Sequence, residues 1–176
     1  MYNGGCDMSG LYKKILVPLD GSEFAAQALP HAEQIASCTG AKLIVFQVVE
    51  DPGRVLAAPL GAGVAGSSAG VGTIGAGFVS ITPSDDVHRQ AMDEAKASLD
   101  RLAESFHHRH VDAEVGIDSG DPATRIVEYV AANDVDLVVM STHGRTGLAR
   151  WAYGSVATKV LQAVSCAVLV VRPAAT

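Results

Sequence analysis

None of the three cysteines, Cys6, Cys38 and Cys166, stands in a C-x-x-C pair. That excludes the usual thiol-exchange motif and the paired ligands of a structural zinc site, and an odd, unpaired set fits a reducing, cytoplasmic setting. No G-x-x-x-x-G-K-[ST] occurs, so a Walker-type phosphate loop is excluded as well. Basic runs are also missing: the formal net charge is -6 and the lysines and arginines are scattered, which leaves no footprint for a nucleic-acid backbone. Residues 1–10 have neither the basic nor the apolar region of a secretory leader, and positions 1–12 read as a flexible tail. Residues 55–84 carry no charge over a length that can span a bilayer, but they are rich in Gly, Ser and Pro rather than Leu, Ile and Phe. A membrane span is therefore not expected.

What is present is a chain of 176 residues, 48% hydrophobic, enough for one well-buried core and too short for two ordinary ones. Four short β-branched runs, at 13–18, 41–49, 136–140 and 167–171, have the continuous apolar character of strands covered on both faces. A fifth, 111–117, alternates and suits a position nearer a sheet edge. Helix patterns lie between them. Ser22 can cap a helix through residue 37, kinked at Pro30. Ser84 or Asp85 can cap the next, with Val87, Ala91, Ala95, Leu99, Leu102 and Phe106 along one face. Asp121 followed by Pro122 is a cap and first-turn proline, with Ile126, Val127 and Val130 facing inward, and a last helix covers 152–163. Alternating strands and helices predict one domain at 13–173, an α/β fold with an open five-stranded parallel doubly wound sheet, and a site beyond the strand carboxyl ends near Asp20, Glu50 and Met140.

The stretch GAGVAGSSAGVGTIGAG, residues 61–77, matches G-x-G-x-x-G twice and G-x-S-x-G once. A working dinucleotide fingerprint sits in the tight turn from a first strand into a helix, and a nucleophile elbow needs the same strand–turn–helix context. This stretch begins more than ten residues after the second strand and runs into further loop, so it reads as part of a Gly/Ala-rich insertion at about 53–84, with a lid or a docking surface for a protein partner as the functional alternative. Loop closure depends only logarithmically on length. Deleting 61–77 and closing the gap with a short linker should therefore leave folding and ligand binding nearly unchanged; loss of binding in a folded deletion variant would identify the stretch as a lid.

A better anion site is STHGRTGLARWAYGS, residues 141–155, which follows a buried strand directly and ends in Gly154-Ser155 at the start of the last helix. Glycine backbone N–H groups, a helix N-terminus and the Ser155 hydroxyl form a cradle without a lysine. The segment resembles the G-x2-G-x9-G-[ST] pattern of the ATP-binding branch of the universal stress protein family, in Gly144, nine intervening residues, Gly154 and Ser155. KKILVPLDGSE, VVEDP, GDPATRIVEYV and CAVLVVRP extend the resemblance over 13–173. The pattern's first glycine is Ser141, a departure that bears on nucleotide affinity and choice.

That resemblance implies a Rossmann-like, nucleotide-binding α-hydrolase-like fold and ATP, with Mg2+, as ligand. Pro18 and Asp20 would approach ribose and phosphates, Asp20 also being the metal position through Mg-ATP. Val48 would meet adenine through its backbone, and Met140 would wall the base. Gly144, Gly154, Ser155 and Val156 would hold the triphosphate, with Ser141, Arg145 and Gly147 in the same loop. It further implies a nucleotide-dependent regulatory homodimer in stress response, paired through the final strand, 167–171. The alternatives are a slow ATPase or phosphotransferase, and a partner-binding module without nucleotide; no catalytic residue is assigned and hydrolysis is expected to be slow at most. His143 reads first as a loop histidine and second as a base. Arg145 and Arg150 suit phosphates or solvent equally. His107, His108 and His110 read as a solvated helix end rather than a metal set, and Cys38 and Cys166 as small core residues.

Overall fold

The computed structural model describes residues 10–50, 85–142 and 154–172. Cys6, the insertion at about 53–84 with its stretch 61–77, and His143, Gly144, Arg145, Gly147 and Arg150 lie outside the described residues. Of the tail read at 1–12, positions 10–12 are described: the Gly10 N–H donates to the Thr39 carbonyl at 3.1 Å, and Tyr12 packs on the core.

The apolar runs become β1 (Lys14–Leu19), β2 (Lys42–Val49), β3 (Ala113–Ser119), β4 (Leu137–Ser141) and β5 (Ala167–Val171). All are parallel, in the order β3-β2-β1-β4-β5, so the order reverses between β1 and β4. The helices are α1 (Glu23–Ala26), α2 (Leu29–Thr39), α3 (Asp85–His107), α4 (Pro122–Ala132) and α5 (Ser155–Ala163). Strand pleating sends alternate residues to opposite faces. Ile15 and Val17 pack with α2 and α3 through Ala32, Ala36, Leu99 and Phe106, while Leu16 packs with α4 and α5 through Ile126, Val130 and Val160. Both faces of β1 are covered, which is why its sequence is continuously apolar.

The structure corrects three details. The single helix expected over 22–37 is two helices. Ser22 Oγ accepts from the Ala25 N–H at 3.1 Å to cap α1, and Pro30 falls in the first turn of α2, where its missing N–H breaks no intrahelical bond. Gly40, at φ 72°, ends α2 in the left-handed region that glycine enters without strain. Val87 is 56% exposed instead of facing the core. The 23 residues of α3 run about 34 Å at helical rise against about 23 Å for the 7 residues of β3, so the residues ahead of His88, which is bonded to the end of β3, extend past the strand. Cys38 lies exposed on α2, away from the buried stripe of Ala32 and Ala36, whereas Cys166 is half-buried just before β5. Burial pushes the Cys166 thiol up from its ordinary value.

Candidate functional site

The strands on either side of the order reversal separate as they rise. β1 and β4 pair at Ile15–Leu137 and Leu16–Val138 alone, whereas β1 and β2 pair at every position from Lys14 to Leu19. The amino ends of β1 and β4 are clamped: Asp136 Oδ2 accepts from the Lys13 and Lys14 N–H groups at 2.8 and 2.9 Å, and Lys14 Nζ donates to the Asn133 carbonyl at 2.6 Å. Held at one end and parted at the other, the strands leave a cleft of about 560 Å³ above their carboxyl ends. The volume is within the usual range for small-molecule sites, and the place is where doubly wound sheets bind ligands.

Pro18 from β1 and Asp20 just after it, Val48 from β2, Met140 and Ser141 from β4, and Gly154, Ser155 and Val156 at the start of α5 all line this cleft. Glu50, expected near the site, lines it too. Gly144, Arg145 and Gly147 lie outside the described residues. The sequence reading missed, among others, Phe46, Ala91, Pro122 and Ile126, which add to the wall from β2, α3 and α4. Phe46 follows the β2 pattern of Ile44 and Val48 and was legible as a same-face residue. Ala91 and Ile126 carried only a core-stripe signal, and the fastening of His88 to Ser119 at the end of β3 is what sets Ala91, one turn along α3, at the rim.

Polar groups are few and unevenly satisfied. Asp20 Oδ1 accepts from the Ser22 N–H at 2.9 Å and the Ser22 hydroxyl at 2.6 Å, so the carboxylate forms a turn and also faces the cleft. At α4, Asp121 Oδ1 accepts from the Thr124 N–H at 3.0 Å and its hydroxyl at 2.6 Å, closing that helix start. Lys159 Nζ stands 3.8 Å from Asp121 Oδ2, an exposed pair contributing at most about 1 kcal/mol. At α5 the cap position is Gly154, which brings no side chain, and no side chain bonds the first-turn N–H groups among the described residues. Among the described residues the α5 start therefore presents backbone donors without a side-chain cap, and its share of the helix dipole, beside Ser155 at the cleft wall.

Around the rim, His88 Nε2 and Ser119 Oγ share a hydrogen bond of 3.0 Å that ties the first turn of α3 to the end of β3. His107 Nε2 lies 2.8 Å from the Ala113 carbonyl oxygen, so this ring fastens the end of α3 to β3, while His108 and His110 are exposed. Among the described residues no three His, Cys, Asp or Glu side chains gather as a metal site, and no helix is long and apolar enough to cross a membrane.

Residues 11–70 and 75–172 match the model of the universal stress protein family. Universal stress protein MJ0531 of Methanocaldococcus jannaschii is 32% identical over 162 residues, covering 92% of this chain and 83% of that protein. Among solved structures, the universal stress protein UspA from Lactobacillus plantarum is similar with a TM-score of 0.63 and 25% identity, over 92% of this chain and 98% of that one. A universal stress protein solved in complex with cAMP has a TM-score of 0.56 and 20% identity, over 92% of this chain and 97% of the other.

Proposed function

We propose that this chain, which belongs to the universal stress protein family, binds ATP in the cleft above β1 and β4 and acts as a nucleotide-dependent regulatory homodimer. The observation that carries the reading is the uncapped start of α5 at the wall of an otherwise largely apolar cleft. A nucleotide has matching parts: a flat, weakly polar base and a chain of anionic oxygens. Apolar Pro18, Val48, Met140 and Ile126 suit the base, and the N–H groups of Ser155, Val156 and Ala157 with the Ser155 hydroxyl suit the phosphates. Gly144, Arg145 and Gly147 belong to the proposed phosphate loop through the family pattern. Asp20 keeps Oδ2 for a ribose hydroxyl or for Mg2+ brought in with the phosphates, the single carboxylate being the usual protein share of such a metal. The cAMP held by the related protein extends the test to that ligand.

Backbone donors and one hydroxyl without a cradle lysine set an expected Kd in the micromolar range, about 8 kcal/mol of binding free energy. Calorimetry with Mg-ATP and with cAMP checks this, together with chromatography of nucleotide carried through purification. Binding of neither ligand at millimolar concentration overturns the reading. Turnover of ATP is expected to stay well below about 1 per second. Several turnovers per second, abolished by His143→Ala, would replace the regulatory reading with an enzymatic one.

A further inference from the structure

Phe46 and Gly116 are paired neighbours on β2 and β3, and on the other side Phe46 is in register with Pro18 of β1. The Phe46 ring is fully buried and leans over Gly116: a methyl group placed on Gly116 would stand 2.7 Å from Phe46 Cδ2, 3.4 Å from Cε2 and 3.3 Å from Tyr129 Oη. Carbon atoms in contact settle near 3.5 to 4.0 Å, so the ring occupies space that only a residue without a side chain leaves open. From α4, Tyr129 closes the ring from above, with centroids 4.4 Å apart and planes inclined by 40°. Along the strand, Ile44 holds the amino side of the same face and is itself buried. The directions that remain lead over Pro18 and toward Val48, both of which line the cleft as Phe46 does.

We infer that Gly116 is a specificity-determining position: the notch it leaves in β3 draws the Phe46 ring out of the cleft and so gives the cleft the depth that admits a planar bicyclic base. The inference rests on the nucleotide reading for its ligand class, but the displacement of the ring follows from the packing alone. A side chain at Gly116 sends the ring over Pro18 and makes the base end shallower, which disfavours a purine more than a pyrimidine. Tyr129 has a supporting part, since its ring blocks the way toward α4.

The experiment pairs titrations of ATP and CTP with crystal structures of wild type, Gly116→Ala and Gly116→Ala/Phe46→Leu. In Gly116→Ala the ring is expected over Pro18, with ATP affinity reduced about tenfold, CTP affinity reduced less, and ATP affinity returning to within about twofold of wild type in the double variant. Should Gly116→Ala alone fail to fold, recovery of folded, ATP-binding protein in the double variant supports the notch, and its failure overturns it. Unchanged ATP affinity in a folded Gly116→Ala variant, equal losses for both nucleotides, or a ring that stays beside β3 overturns the inference. Wild-type protein that binds neither nucleotide overturns the nucleotide reading instead, and the ring position in the Gly116→Ala crystal still decides the notch.

Discussion

Replacing Gly154 with aspartate should make the protein slightly more stable and weaken nucleotide binding by at least about a hundredfold. The backbone at Gly154, φ -57° and ψ 158°, is an extended conformation open to any residue, and a Cβ there meets nothing within 4 Å among the described residues. Aspartate is among the preferred N-cap residues, and its carboxylate would accept from the first-turn N–H groups of α5 while complementing the helix dipole. Relative to glycine, the stabilising effect is a few tenths of a kcal/mol, about 0.5. The same groups are the proposed phosphate donors. Hydrogen bonds to a charged group contribute roughly 1.5 to 3 kcal/mol each, so losing two and adding a like charge lowers affinity by at least about a hundredfold. Gly154→Asn separates the causes, since it caps without charge and should produce a smaller loss. Thermal unfolding and calorimetry on the three proteins check the pair of effects; a Gly154→Asp variant that binds ATP as wild type does removes the α5 start from the site.

The opposed signs in that variant reflect why the position was legible beforehand. Gly154-Ser155 after a buried strand places a cap without a side chain next to a predicted strand end, and the structure puts both at the wall of the cleft. The same logic located Pro18, Asp20, Val48 and Met140, because in a parallel sheet the carboxyl end of every strand points to one edge. Strand positions were readable for a related reason: residues such as Ile15, Leu16 and Val17 are buried on alternating faces, so the apolar run has no polar gaps. What could not be read depends on relations between elements. Nothing local in Ala91 or Ile126 says that one stands at the rim of the cleft and the other inside it. Pro30 marked a break in the helical pattern, but only the Ser22 cap and the short span of α1 showed that two helices meet there. The pairing of Phe46 with Gly116 required the register of β2 against β3, which neither run specifies alone.

A lysine at Val170 should convert the proposed dimer into monomers while leaving the proposed nucleotide binding largely intact. β5 ends the sheet, and among the described residues its ladder partner is β4 alone. Its other edge therefore carries backbone donors and acceptors with no sheet partner there, in a strand, AVLVV, that holds no charge and no proline. Natural sheets guard such edges with charges, bulges or a covering element. Val168, Leu169, Val170 and Val171 are only half-buried, and packing accounts for one side of three of them, Val168 against the cluster with α4 and α5 and Leu169 and Val171 against the cluster with α2 and α3. Antiparallel pairing of two copies about a two-fold axis satisfies the edge and covers the remaining apolar surface, and closed symmetry stops the association at two. Arg172 lies just beyond the strand, so the wild-type edge keeps charge out of its middle and places it at the end. Lysine at Val170 brings two ammonium groups toward the axis and requires them to lose water. One buried like-charge contact costs several kcal/mol, enough to raise the dimer Kd by about a hundredfold or more. Because Val170 pairs with Met140 through the backbone but does not line the cleft, ATP affinity should change by less than about threefold. Light scattering across micromolar concentrations checks the first claim and calorimetry the second. A wild type that is monomeric throughout, or a folded Val170→Lys variant that remains dimeric, rules out this edge as the interface.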